Sequence, residues 1–144
     1  MANVIEADSM IEAAKASIIA YNHKDWNKAE ESLHKGAVYD EKTTHRRIEG
    51  RDDIIAAWQG WAKAFPDSKA TFVREHRAGN IVVLEVVWKG VHSGPLDMPT
   101  GTIPASNREL DMPSCQVFEI EDGKVATFTQ YFDLLTMLRQ IGAA

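Results

Sequence analysis

The stretch from Cys115 to Gly142 restricts the possible folds most, because it dictates two strands, the turn between them and the helix that follows. Gln116, Phe118 and Ile120 alternate with Cys115, Val117 and Glu119, the period of two of a half-buried strand. Glu121-Asp122-Gly123-Lys124 supplies a glycine-containing hairpin loop, and Val125 to Phe132 returns as a β-branched and aromatic strand. Setting Ile120 opposite Val125 pairs Phe118 with Thr127 and Gln116 with Thr129, and one bulge brings Gln130 beside Gln116. Asp133 caps a helix in which Leu134, Leu138 and Ile141 share a face, and Gly142 stops it.

Upstream, Asp8 or Ser9 is positioned to cap a helix carrying Met10, Ala13, Ala14, Ser17, Ile18 and Tyr21 as one stripe. Asp25 caps a second helix with Trp26, Ala29 and Leu33 in line and Gly36 as its breaker, and Ala37 to Lys42 follows as a short edge strand. A third helix opens at Gly50-Arg51-Asp52-Asp53, repeats Ile54, Trp58, Trp61 and Phe65, and ends at Pro66-Asp67. Thr71 to Arg77 and Ile81 to His92 read as strands around Ala78-Gly79-Asn80, with Val82, Leu84, Val86, Trp88, Gly90 and His92 on one face. From Ser93 to Asn107 the prolines and glycines predict an irregular loop without a ladder, covering a pocket mouth. Helices followed by a run of strands point to α+β with an antiparallel sheet, as one domain over residues 1–144.

At 44% hydrophobic content, 144 residues suffice for a core that removes about 68–70% of the unfolded surface from water. The net charge of −5 works against nucleic-acid backbones and anionic membranes. The N-terminus lacks a signal-peptide pattern, no apolar run nears the ~20 residues of a membrane span, and the single cysteine offers no internal disulfide. A cytoplasmic location follows as the expectation. No HxH, HExxH, GxSxG, GxGxxG or P-loop pattern occurs, which argues against a metal site, nucleotide binding and serine hydrolysis.

In their order and spacing, Ala64-Phe65-Pro66-Asp67, Gly90-Val91-His92-Ser93-Gly94, Met98-Pro99-Thr100-Gly101, Glu121-Asp122-Gly123-Lys124-Val125, Asp133 and Leu138-Arg139-Gln140-Ile141-Gly142 resemble the SnoaL-like polyketide cyclases. That family lies within the superfamily of ketosteroid isomerase and nuclear transport factor two. The resemblance implies a cone-shaped curved antiparallel sheet packed on three N-terminal helices plus a short C-terminal helix, an apolar pocket, no cofactor and no metal, and a homodimer formed through the sheet. It also implies an acid/base aspartate three residues before the capping aspartate and a histidine across the hairpin. Those places hold Gln130 and Gln116, and an amide exchanges no proton near neutral pH.

The candidate catalytic residues are therefore His92, Gln116 and Gln130. His92 either moves protons or is a core histidine that holds the loop; the two glutamines either orient a carbonyl or only pack. Trp58, Trp61, Phe65, Trp88 and Phe118 offer flat surfaces for a small apolar or aromatic ligand, or form core. Asp40, Glu41 and His45 are expected to be exposed, His23 and His34 solvated, Asp133 a cap, and Cys115 a small buried side chain rather than a nucleophile. The expected function is cofactor-free cyclase, isomerase or lyase chemistry on an apolar carbonyl. The alternatives are a non-catalytic binder of apolar ligands and a dimeric interaction domain.

Overall fold

A computed structural model describes residues 4–144, and side chains from Ser9 onward. Two helices come first, α1 (Val4–Asn22) and α2 (Trp26–Glu31), then β1 (Leu33–Glu41), a 3₁₀ turn at Lys42–Thr44, β2 (Arg46–Glu49) and α3 (Arg51–Ala64). They are followed by β3 (Lys69–Ala78), β4 (Ile81–Val91), β5 (Leu96–Met98), β6 (Gly101–Ile103), β7 (Glu109–Glu121), β8 (Lys124–Phe132) and α4 (Leu134–Gln140). The architecture is α+β: a curved six-stranded sheet ordered β2-β1-β8-β7-β4-β3, with β5 and β6 as a separate two-stranded ribbon.

Helix faces follow the sequence spacing. Ala14, Ser17, Ile18 and Tyr21 of α1 and Ile54, Trp58 and Phe65 along α3 are buried between helices and sheet, at about 1.5–3 kcal/mol for each fully buried large apolar side chain. Because α1 spans Val4–Asn22, Asp8 and Ser9 lie within it and do not cap it; nothing in Ile5-Glu6-Ala7 opposes helix. Asp25 does cap α2, its carboxylate accepting from the Lys28 amide at 3.1 Å. Leu33 is not on that helix. It opens β1 opposite Val125 of β8, whose amide donates to Ser32 O at 2.9 Å.

The sheet is mixed, not wholly antiparallel. β1 runs parallel to β8 and lies between β8 and β2, so it is an interior strand, and the edge belongs to β2. Short turns force antiparallel neighbours only on strands adjacent in sequence, and β1 and β8 are joined by most of the chain.

β7 and β8 meet through Asp122 and Gly123, at φ of 51° and 73°, the left-handed pair that a two-residue hairpin favours. Ile120 faces Val125, and a register shift between Glu119 and Ile120 then sets Phe118 opposite Phe128 and Gln116 opposite Gln130. The bulge that the sequence requires is present, two pairs from the turn.

The end of α3 and the end of β4 are fitted to one another. Asp67 accepts from the Val91 amide at 2.8 Å. Gly94 donates to Ala64 O at 3.1 Å, and a Cβ at Gly94 would stand 1.9 Å from Lys63 O. Beyond it the chain departs from the expected irregular loop. Leu96–Met98 pairs with Gly101–Ile103, because Pro95, Pro99 and Pro104 all fall outside the paired residues and leave their amides free to ladder. Leu96 is buried with Phe65, Leu110, Met112, Met137 and Ile141 in a second core cluster. Among the described residues, no helix is long and apolar enough to cross a membrane.

Candidate active site

Between the helices and the inner sheet face lies a cavity with about 620 Å³ of non-atom space, open solvent at its mouth included. Its walls are largely aromatic and aliphatic: Tyr21, Tyr39, Trp58, Trp61, Phe65, Trp88, Phe128 and Phe132, with Ile18, Leu110, Met112 and Met137. Trp88 stands edge-on to Tyr21, with ring centroids 5.2 Å apart, and Trp58 edge-on to Tyr39 at 6.0 Å. Few polar side chains reach the wall. Ser17 donates to Ala14 O at 2.9 Å, and the Tyr21 and Ser68 hydroxyls bond each other at 2.8 Å. Burial pushes the Tyr21 phenol up to about 12, with the Ser68 hydrogen bond acting the other way. The remaining polar lining consists of Tyr39 and Gln130.

These two belong to a chain of buried polar groups. The Gln116 amide donates to Gln130 Oε1 at 3.0 Å, the Gln130 amide donates to the Tyr39 hydroxyl at 2.7 Å, and that hydroxyl donates to Glu41 Oε2 at 2.6 Å. Trp61 Nε1 donates to the same oxygen at 3.0 Å, the Thr44 hydroxyl donates to Oε1, and Arg46 reaches both oxygens at 3.3 Å. Four donors converging on one fully buried side chain suit an ionised carboxylate. Burial, and then the Glu41 charge, hold the Tyr39 phenol well above its ordinary value. The hydroxyl therefore keeps its proton.

The carboxylate also sets the direction of every bond in the chain. Tyr39 must give its hydrogen to Glu41, so it takes one from Gln130. Gln130 then presents its nitrogen to Tyr39 and its oxygen to Gln116 and to the Ser114 hydroxyl at 3.2 Å. At the far end Gln116 Oε1 is buried without a partner. The Gln130 amide has a second hydrogen beyond the one Tyr39 receives, on a side chain that lines the cavity.

His92 is fully buried and shares the inward phase of β4, but it stacks on Phe65 at 5.2 Å and does not line the cavity. The Ser106 amide donates to its Nδ1 at 3.2 Å, with the Ser106 hydroxyl 2.9 Å away. Nδ1 is thus the acceptor and Nε2 carries the hydrogen, with no partner. Burial lowers the pKa of His92. The geometry is that of a core histidine holding the 93–107 segment through the Ser106 amide.

Of the residues singled out from the sequence, Trp58, Trp61, Phe65, Trp88 and Gln130 line the cavity, whereas His92, Gln116 and Phe118 do not. Gln116 touches it through Gln130, and Phe118 lies behind Phe128 at 4.3 Å. No residue of 93–107 is in the wall, so the expected cover is instead a buttress against α3. Asp133 caps α4, accepting from the Thr136 amide at 3.0 Å and its hydroxyl at 2.6 Å; the Thr136 hydroxyl and then its amide lower the carboxyl's pKa. Phe128 is buried on the inner face, in the cavity wall. Cys115 lies half-buried in an outer groove with Val87, Pro113 and Tyr131. His34 is bonded to Glu121 O at 2.6 Å.

The expectation of an exposed Glu41 is overturned, and Tyr39 had no assigned role. The signal was present in Ala37, Tyr39 and Glu41, which alternate inward along β1. A carboxylate ending that series reads as solvent-facing until Arg46 and Trp61 are seen to fold over it.

A model of SnoaL-like polyketide cyclases matches residues 11–141. Among solved structures, a SnoaL-like protein from Jannaschia sp. CCS1 is 20% identical, with a TM-score of 0.84 over 95% of this chain and 94% of its own. TsrD from Streptomyces laurentii is 26% identical, with a TM-score of 0.79 over 100% of both chains. An LEH-like epoxide hydrolase from M. tuberculosis is 19% identical, with a TM-score of 0.72 over 93% and 90%. No curated protein matches the sequence. Cavity, sheet order and a match that runs through nearly every element agree, and the chain belongs to the SnoaL-like polyketide cyclase family.

Proposed function

We propose that the protein is a cofactor-independent enzyme acting on a small apolar carbonyl compound in this cavity, by chemistry of the polyketide or ester cyclase, isomerase or lyase type. The observation that carries this reading is the position of Gln130: a pre-oriented amide donor on a largely apolar wall. Developing negative charge on a carbonyl oxygen is stabilised most by donors already aimed at it in a water-poor site. Family membership and the aromatic lining, suited to a flat ligand, support the same reading.

A second reading, a non-catalytic binder of apolar ligands, is favoured by the amides at 116 and 130, neither of which exchanges protons. The two readings separate in one experiment. A panel of aromatic ketones and linear poly-β-keto esters is titrated against tryptophan fluorescence, and each compound that binds is followed by mass spectrometry. The enzyme reading expects conversion of at least one bound compound; saturable binding with no conversion throughout the panel would favour the binder.

A further inference from the structure

Gln130 has no proton to give or take, yet the neighbouring strand carries a carboxylate level with it: Glu41 is the register partner of Gln130 across the parallel β1–β8 pairing. We propose that Tyr39 and Glu41 form the proton-accepting pair of this cavity, Tyr39 touching the substrate and Glu41 acting through it, for substrates with an acidic C–H beside a carbonyl. The inference rests on the enzyme reading above.

Three features carry it. Tyr39 lines the cavity whereas Glu41 stands behind it, so the phenol is the route from the wall to the carboxylate. The phenolic oxygen accepts from Gln130 at 2.7 Å and donates to Glu41 at 2.6 Å, which leaves it one further acceptor position. Lastly, the ion pair with Arg46 is a weak structural reason for burying a carboxylate here. Desolvation of Glu41 offsets much of the attraction to Arg46, whose nitrogen stays 3.3 Å from both oxygens and whose Nε is buried without a partner.

The step balances without a co-reactant. The α-carbon of the substrate loses a proton to Tyr39 Oη as the Tyr39 hydroxyl proton passes to Glu41 Oε2. The C–H electron pair becomes the enolate, whose oxygen takes the second N–H of Gln130. Because both transfers occur together, no phenolate has to exist in a site that disfavours it. Reverse transfer returns the proton to a different carbon, which gives an isomer, or to the new alkoxide after the enolate carbon has closed a ring onto a second carbonyl. Tyr39 is thus the catalytic residue and Glu41 a positioning residue that ends the relay.

The test is α-hydrogen exchange of β-tetralone in D₂O, followed by NMR, with probe binding read from tryptophan fluorescence. The expected result is that Glu41→Gln and Tyr39→Phe each lower kcat by about 10²–10⁴-fold, leave KM nearly unchanged, and together cost little more than either alone. A purely structural Glu41 would instead lower the melting temperature and raise KM. Should Glu41→Gln fail to fold, Tyr39→Phe, which deletes one oxygen, decides alone. Exchange in the unmodified protein that survives both substitutions within about tenfold overturns the relay and leaves the enzyme reading standing. Bound β-tetralone that shows no exchange above buffer in the unmodified protein also overturns the relay, and the enzyme reading is then decided by the wider panel.

Discussion

Glu41 on β1 and Gln130 on β8 stand in register across the one parallel pairing of the sheet, and the Tyr39 hydroxyl bridges them at 2.6 and 2.7 Å. Neighbouring strands lie about 4.7–4.9 Å apart, which places a carboxylate and an amide within reach of a single intervening oxygen. An ion at one end then orders the two amides beyond it, since each donor in the chain is directed by the acceptor before it. The amide at 130 is therefore a donor aimed by its surroundings.

Gln130→Asp separates the two functional readings by sign. If the enzyme holds a developing oxyanion with this amide, a carboxylate there removes the donor and adds repulsion. The β-tetralone exchange rate should then fall by about 10²–10³-fold, or 2.7–4 kcal/mol of barrier. If the protein is a binder, the same change creates a base and exchange appears where there was none.

Gly94→Ala should be among the most damaging small substitutions in the chain. The added methyl would stand 1.9 Å from Lys63 O, which forces α3 and β4 apart where Gly94 and Ala64 are bonded. Overpacking of this kind costs about 1–3 kcal/mol, readable as a lowered urea midpoint with an unchanged m-value. A midpoint within error of the original protein would show that this contact is loose.

His92 should make stability pH-dependent. Its pKa is lowered by burial, so the unfolded chain binds more protons than the folded one once pH falls below the ordinary histidine value of about 6.5. The contribution is complete above that value and is lost as pH falls toward the folded-state pKa. In His92→Asn the amide oxygen still accepts from Ser106, so the slope of melting temperature against pH between about 7.5 and 5.5 should flatten. Because His92 does not line the cavity, turnover should persist; loss of turnover in a folded variant would restore it as a proton carrier.

The outer sheet face is proposed as a homodimer surface. Val83 pairs with Val117 and Val87 with Pro113, while Val73 and Tyr131 are 57% and 48% exposed. These apolar side chains flank the Arg74–Glu85 and His76–Glu85 ion pairs on the same face, and exposed apolar groups of this kind favour a covering partner. Sedimentation should give a dimer at micromolar concentration and a monomer for Val87→Lys. A monomer without the substitution would refute the assignment.

What the chain determined by itself is local and periodic. The 115–142 hairpin, its bulge, the Asp133 cap, the α3 stripe and the inward phase of β4 each rest on spacings of two or between three and four, and on turn chemistry within a few residues. Tertiary structure decided what depends on contacts between remote segments. The parallel β1–β8 pairing joins strands with most of the molecule between them, and no local preference encodes its direction. Glu41 became a buried ion only because Tyr39, Thr44, Arg46 and Trp61 converge on it, and a carboxylate carries no sequence mark of whether donors will meet it. His92 faced inward as its phase required, but whether it would reach the cavity or the Ser106 turn was set by where Phe65 and the 93–107 segment packed.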